Sequence, residues 1–119
     1  MKNTRKTGSE KEAVAAVYLQ QQGYRILEQN YRVAQAEIDI VAMDRNTLVF
    51  VEVKYRSGCA AGHPLEAVGT AKQRKICRAA VSYMNYKKIP VYETEIRFDV
   101  IGILGEEITH IQNAFDYVR

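Results

Sequence analysis

Glu-Ile-Asp-Ile-Val-Ala-Met (37–43), Asp-Arg-Asn-Thr (44–47) and Leu-Val-Phe-Val-Glu-Val-Lys (48–54) read as two strands joined by a turn. The first run alternates, with Glu37, Asp39 and Val41 on one face and Ile38, Ile40 and Ala42 on the other. The second is dense in β-branched and aromatic residues, which suit a pleated, packed surface. Whether the loop is Arg45-Asn46 or all four turn residues, Met43 pairs with Leu48. Counting outward then sets Asp39 opposite Glu52 and Glu37 opposite Lys54. Residues so placed share a face, with Cβ atoms roughly 4.5–5.5 Å apart. A three-residue loop would break this register.

Two readings of these charges stand side by side. In a half-exposed strand, Glu37 opposite Lys54 is a surface salt-bridge ladder. However, Leu48 and Phe50 share the face of Glu52 and Lys54, while Val49, Val51 and Val53 make the other face apolar too. A strand apolar on both faces is central and covered. Charges at its end must be paired, bind metal or line a cleft. Two carboxylates this close repel unless a cation joins them, and Mg²⁺ favours carboxylate, carbonyl and water oxygens. Lys54 is near enough to orient or help deprotonate a metal-bound water, or to stabilise charge on a phosphate. Phosphodiester hydrolysis needs such a set.

Outward from the hairpin, Ser9 and Glu12 fit a capping box that opens a helix over 10–22, with Ala13, Val14, Val17 and Tyr18 at helical spacing and Gly23 as its stop. Residues 1–8 read as a flexible N-terminal arm and 9–119 as a single domain. Residues 24–33 form a first strand. After a looser stretch containing Gly58 and Gly62, Thr70 and Gln73 offer a second capping box, for a helix to about Lys87 that Ile89-Pro90 ends. Gln73 also lies on the stripe of Ile76, Cys77, Ala80 and Met84, which turns it toward the sheet. Strands follow over 95–104 and 108–112. Three consecutive strands exclude a doubly wound sheet, so the fold class is an α/β (α+β) sandwich.

The chain's 119 residues suit one domain, and its formal charge of +3 is too weak alone to indicate a polyanionic partner. Its placement matters more. Lys2, Arg5 and Lys6 lie in the arm; Lys72, Arg74, Lys75 and Arg78 lie in one helix, as a solvated face or a track for nucleic acid. Cys59 and Cys77 have neither disulfide-framework nor zinc spacing, which points to a reducing cytoplasm. Ala13–Leu19 is too short for a signal sequence or a membrane span. Tyr83, Tyr86 and Tyr92 would suit a protein-binding surface, a reading that leaves the acidic residues unexplained.

Glu-Ile-Asp-Ile (37–40), Phe-Val-Glu-Val-Lys (50–54), Lys-Gln-Arg (72–74) and Arg-Phe-Asp-Val (97–100), in that order, resemble the bacterial YraN family, a branch of the PD-(D/E)XK nuclease superfamily near the archaeal Holliday-junction resolvases. The similarity runs from about Gly8 to Phe115. It implies a restriction-endonuclease-like αβββαβ core, a mixed central sheet flanked by helices. It implies Mg²⁺ or Mn²⁺ held by Asp39, Glu52 and the Val53 carbonyl, with Lys54 positioning or activating water. Gln73 matches the position where Gln or Lys orders the site, and Glu12 the acidic residue that several resolvase-like nucleases place beside the metal. Both also stand as capping partners, of Thr70 and Ser9. Lys72, Arg74, Lys75, Arg78 and Arg56 would meet DNA, including branched forms, and His63 is a further loop contact. Resolvase-like relatives pair to cut two strands, so the resemblance extends to a homodimer. A module that binds nucleic acid without turnover is the alternative. Arg97 and Asp99 read as a structural pair near the cleft. Ala36 replaces the family's usual Gly, which would strain the turn if positive φ is needed there. Tyr55, where a small hydroxyl residue is usual, either stacks on a base or packs.

Overall fold

The computed structural model describes the backbone of residues 4–56 and 68–117, and side chains from residue 10. Its elements run α1 (Thr4–Gln21), β1 (Arg25–Val33), β2 (Ala36–Asp44), β3 (Thr47–Arg56), α2 (Thr70–Tyr86), β4 (Ile96–Leu104) and β5 (Glu107–Phe115). The five strands form one sheet in sequence order, antiparallel except for the parallel β3–β4 pair. A parallel pair needs a long crossover, and α2 supplies it. The order and the mixed sheet are those expected from the sequence.

α2 covers one face and α1 the other. Under α2, Ile76, Cys77, Ala80, Tyr83 and Met84 pack on Ile38, Val41, Leu48, Phe50 and Phe98. Under α1, Ala15, Ala16 and Leu19 pack on Ile40, Ala42, Val49, Val51, Ile101 and Ile103. β3 feeds both cores, so it is the covered central strand its composition demanded. No helix among the described residues is long and apolar enough to cross a membrane.

The helix starts differ from expectation. α1 begins at Thr4, so residues 4–8 are helical and not a loose arm, and Ser9 lies inside the helix instead of capping it. α2 is preceded by Gly69 at its N-cap, with no side-chain cap. Thr70 is therefore already helical, and the Gln73 side chain donates instead to the Val68 carbonyl at 2.8 Å. The β1–β2 turn places its positive φ on Ala34 (51°), not Ala36, so the departure at Ala36 carries no strain. Cys59 and His63 lie outside the described residues.

Candidate active site

The β2–β3 hairpin closes through Arg45-Asn46, with Arg45 in the left-handed region (φ 57°). Its register is Asp44↔Thr47, Met43↔Leu48 and onward to Ile40↔Val51, as counted from the sequence. The pairing stops there. The next pair outward would be Asp39 and Glu52, and at that point an Asp39 carboxylate oxygen replaces the backbone ladder by accepting from the Val53 amide at 2.7 Å. A strand residue directs its N–H and C=O to the same side. The Val53 carbonyl therefore opens on the gap that holds Asp39.

The strict alternation read along 37–43 fails at Asp39. Ile38 packs under α2 with Val41, whereas Ile40 packs under α1. β2 therefore changes face between Ile38 and Ile40. The neighbouring strand changes with it: Tyr31 pairs with Ile38 and Gln29 with Ile40, and Asn30 between them has φ 56°. Asn is among the few residues that tolerate this conformation. Glu37 consequently lies on the α1 side, paired with Arg32 at 3.5 Å. Val53 and Tyr55 belong to the α1 core, so Glu52 and Lys54 face α2. The expected Glu37–Lys54 opposition is thus wrong, because the two residues lie on opposite faces of the sheet. The surface-ladder reading falls with it.

Asp39, at the break, joins both sides. On the α1 side its carboxylate and those of Glu12 and Glu37 offer oxygens within 4.8 Å of one another. Glu12 also hydrogen-bonds Asn30 and Asp39. On the α2 side lies Glu52, whose carboxylate receives Lys72 Nζ at 3.2 Å. Asp39 and Glu52 are both buried, at 8% exposure each. Burial, and then Glu52 beside it, push the Asp39 carboxyl up to about 9, the Val53 amide opposing in part. Burial and the Glu37 charge likewise raise Glu12, against its hydrogen bonds to Asp39 and Asn30. Burial pulls the Lys72 ammonium down, but Glu52 more than offsets this and the net shift is upward. Carboxylates crowded together with their proton affinity raised, as at Asp39 and Glu12, fit a hard divalent cation.

The remaining expected residues gather less tightly. Lys54, half-buried, follows Glu52 along the α2 face of β3. Gln73 is half-buried and tied to the entry of α2. Arg74, Lys75 and Arg78 are exposed on α2. Lys75 and Arg78 line a groove of about 410 Å³ against the β1–β2 turn. Arg56 donates to the Tyr55 carbonyl at 2.8 Å. Tyr55 packs on the α1 core and carries Lys11 over its ring at 4.7 Å.

The family whose model matches residues 11–103 is described as "Uncharacterised protein family UPF0102". The chain belongs to the UPF0102 family. This is the YraN-like family of the PD-(D/E)XK nuclease kind that the motifs resembled. A UPF0102 protein of Lachnoclostridium phytofermentans is 49% identical over 114 residues, covering 96% of each chain. One from Chlorobium phaeobacteroides is 47% identical over 118 residues, 91% of this chain and 92% of its own. A third, from Chlorobium chlorochromatii, is 47% identical over 123 residues, 95% and 93% respectively.

In this UPF0102 chain a second polar cluster lies at the other end of α1. Fully buried Asp99 accepts from Arg97 Nε (2.8 Å), from His110 Nε2 (2.7 Å) and from the Asn113 amide (3.0 Å). Arg97 also reaches Asp44 (3.0 Å) and the Tyr24 hydroxyl (2.6 Å). Burial would raise Asp99, but His110, Arg97 and Asn113 more than offset it and the net shift is downward. Arg97 and Asp99 do pair, as expected from the sequence, but not near the cleft where that reading placed them. The pair locks the start of β1 and the end of β2 to β4 and β5, away from the acidic site.

Proposed function

We propose that this UPF0102 protein is a metal-dependent endonuclease that hydrolyses DNA phosphodiester bonds and selects structure over sequence. The observation that carries the reading is the buried Asp39 carboxyl against Glu52, at the point where β2 and β3 part. A Mg²⁺ or Mn²⁺ ion held by Asp39, Glu52 and the Val53 carbonyl would polarise the phosphate and activate water. The chain's own residues do the rest. The Val53 amide fixes one side of Asp39, while Glu12 and Asn30 fix the other. Lys54, next to Glu52 on the same face, positions the attacking water or steadies charge on the phosphate. Gln73 is a positioning residue, holding the N-terminus of α2 beside the site through Val68.

The cations support DNA as the substrate. Lys72, Arg74 and Lys75 crowd the first turns of α2, where the helix dipole is already positive and the first turn holds no acidic residue. That arrangement is unfavourable for the helix alone and favourable for a polyanion crossing it. With Arg78 and Arg56 they offer phosphate contacts that carry no base readout, which suits selection by shape. A cytoplasmic location and a homodimer that cuts two strands belong to the same proposal, the latter checked by sedimentation.

The test is cleavage of single-stranded, duplex and branched DNA with Mg²⁺ or Mn²⁺. Wild type should cut at least one form, and Glu52→Gln should lower the rate by about 100-fold or more. Failure of wild type to cut any form would sink the enzymatic reading. The Lys72–Glu52 contact, which gives Glu52 a counter-ion without metal, favours one alternative, a DNA-binding module without turnover. In that case Glu52→Gln would leave DNA affinity unchanged or tighter, and Lys75→Ala and Arg78→Ala would weaken it.

A further inference from the structure

Lys72 sits in the first turn of α2, its side chain 56% exposed, yet its ammonium turns inward to a Glu52 carboxylate that is only 9% exposed. An exposed lysine has no need of a buried partner, because water solvates it well. The contact is better explained from the carboxylate side. Glu52 is the principal charge acting on this ammonium. Glu52 is thus held beside Asp39 with the Lys72 charge as its counter-ion.

We infer that Lys72 is the resident cation of the site, and that a divalent ion and Lys72 exchange places on Glu52. The inference rests on the metal reading above and adds to it how the metal enters. Lys72 contacts the Glu52 carboxylate that the metal would share with Asp39, and a +2 ion there would repel a +1 ammonium a few ångströms away. Lys72 must then leave. Its flexible stem already lies in solvent, next to Lys75 one turn on, so its free position is over a phosphate crossing α2. DNA removes the competitor from Glu52, and metal frees a cation for DNA. Metal and DNA therefore bind with positive coupling, and the coupling runs through Lys72.

The experiment is titration of Mn²⁺ into wild type, Lys72→Gln and Lys72→Arg by calorimetry, with and without a short duplex. Circular dichroism and melting check that the exposed substitutions leave the fold intact. Without DNA, Lys72→Gln should bind Mn²⁺ about two- to fivefold tighter, the worth of one partly exposed ion pair. Lys72→Arg should remain near wild type. DNA should tighten Mn²⁺ binding to wild type and Lys72→Gln alike through the phosphate on the ion, but to wild type by a further factor of similar size, the share that Lys72 carries. Mn²⁺ binding to all three with Lys72→Gln no tighter than wild type would overturn this inference and leave the metal reading standing. No Mn²⁺ binding to any of the three would overturn both.

Discussion

Replacing Asp39 by Asn should stabilise the metal-free protein at neutral and alkaline pH, an unusual outcome for a buried charged residue. The Asp39 carboxyl is pushed up to about 9 by burial and Glu52, whereas in the unfolded chain it titrates near ~3.9. A raised carboxyl binds its proton more tightly when folded, so stability falls as pH rises from about 4 to about 9. Between pH 5 and pH 8 this one group costs the wild type on the order of 4 kcal/mol, at about 1.4 kcal/mol per pH unit. Asn has the shape of a protonated Asp: its carbonyl can accept from the Val53 amide and its amide can donate to Glu52. In urea melts with chelator present, Asp39→Asn should therefore lack this loss, and at pH 8 should exceed wild type by roughly 2–4 kcal/mol. Excess Mn²⁺ should reverse the order, because metal binds the deprotonated carboxylate and stabilises wild type alone. Parallel pH profiles in chelator, or a variant weaker than wild type at pH 8, would refute the reasoning.

Asp99→Asn should cost on the order of 3–5 kcal/mol, since it breaks a buried pair with Arg97 and His110. Asp99 is lowered, so its contribution is present above the unfolded carboxyl value and lost as pH falls through the folded one; urea melts down to pH 3 would show this, and a loss under 1 kcal/mol would count against it. Ala34→Gly should raise stability by about 0.5–1 kcal/mol in the same melts, because Ala34 sits at φ 51° in an exposed turn. Lys75→Ala and Arg78→Ala should each weaken DNA binding across sequences and reduce the slope of log affinity against log salt by about 1. Unchanged slopes would place the DNA elsewhere than on α2.

Much of this molecule was legible from residue pattern. The hairpin register held as far as Ile40↔Val51 because alternation and a two-residue turn leave little freedom. β3 declared itself central by being apolar on both faces, and the order of the elements followed. The face change at Asn30 and Asp39 was hidden, because strand counting assumes strict alternation. Its one local signal is Asn30, a residue suited to positive φ, inside a strand-like run. The Lys72–Glu52 contact was hidden for another reason: it joins a helix start to a strand end, and spacing along the chain says nothing about that reach. His110 was missed because its contact with Asp99 crosses from β5 to β4 beside a register shift, which spacing along the chain does not reveal. Both capping boxes misled alike, as Ser-x-x-Glu and Thr-x-x-Gln also occur within helices that start elsewhere.

The central claim is that Asp39 and Glu52 hold a metal. Anomalous diffraction from crystals soaked in Mn²⁺ tests it most directly. The account predicts a peak between the two carboxylates, beside the Val53 carbonyl, with Lys72 turned away from Glu52. An empty position at millimolar Mn²⁺, with Lys72 still on Glu52, would contradict it.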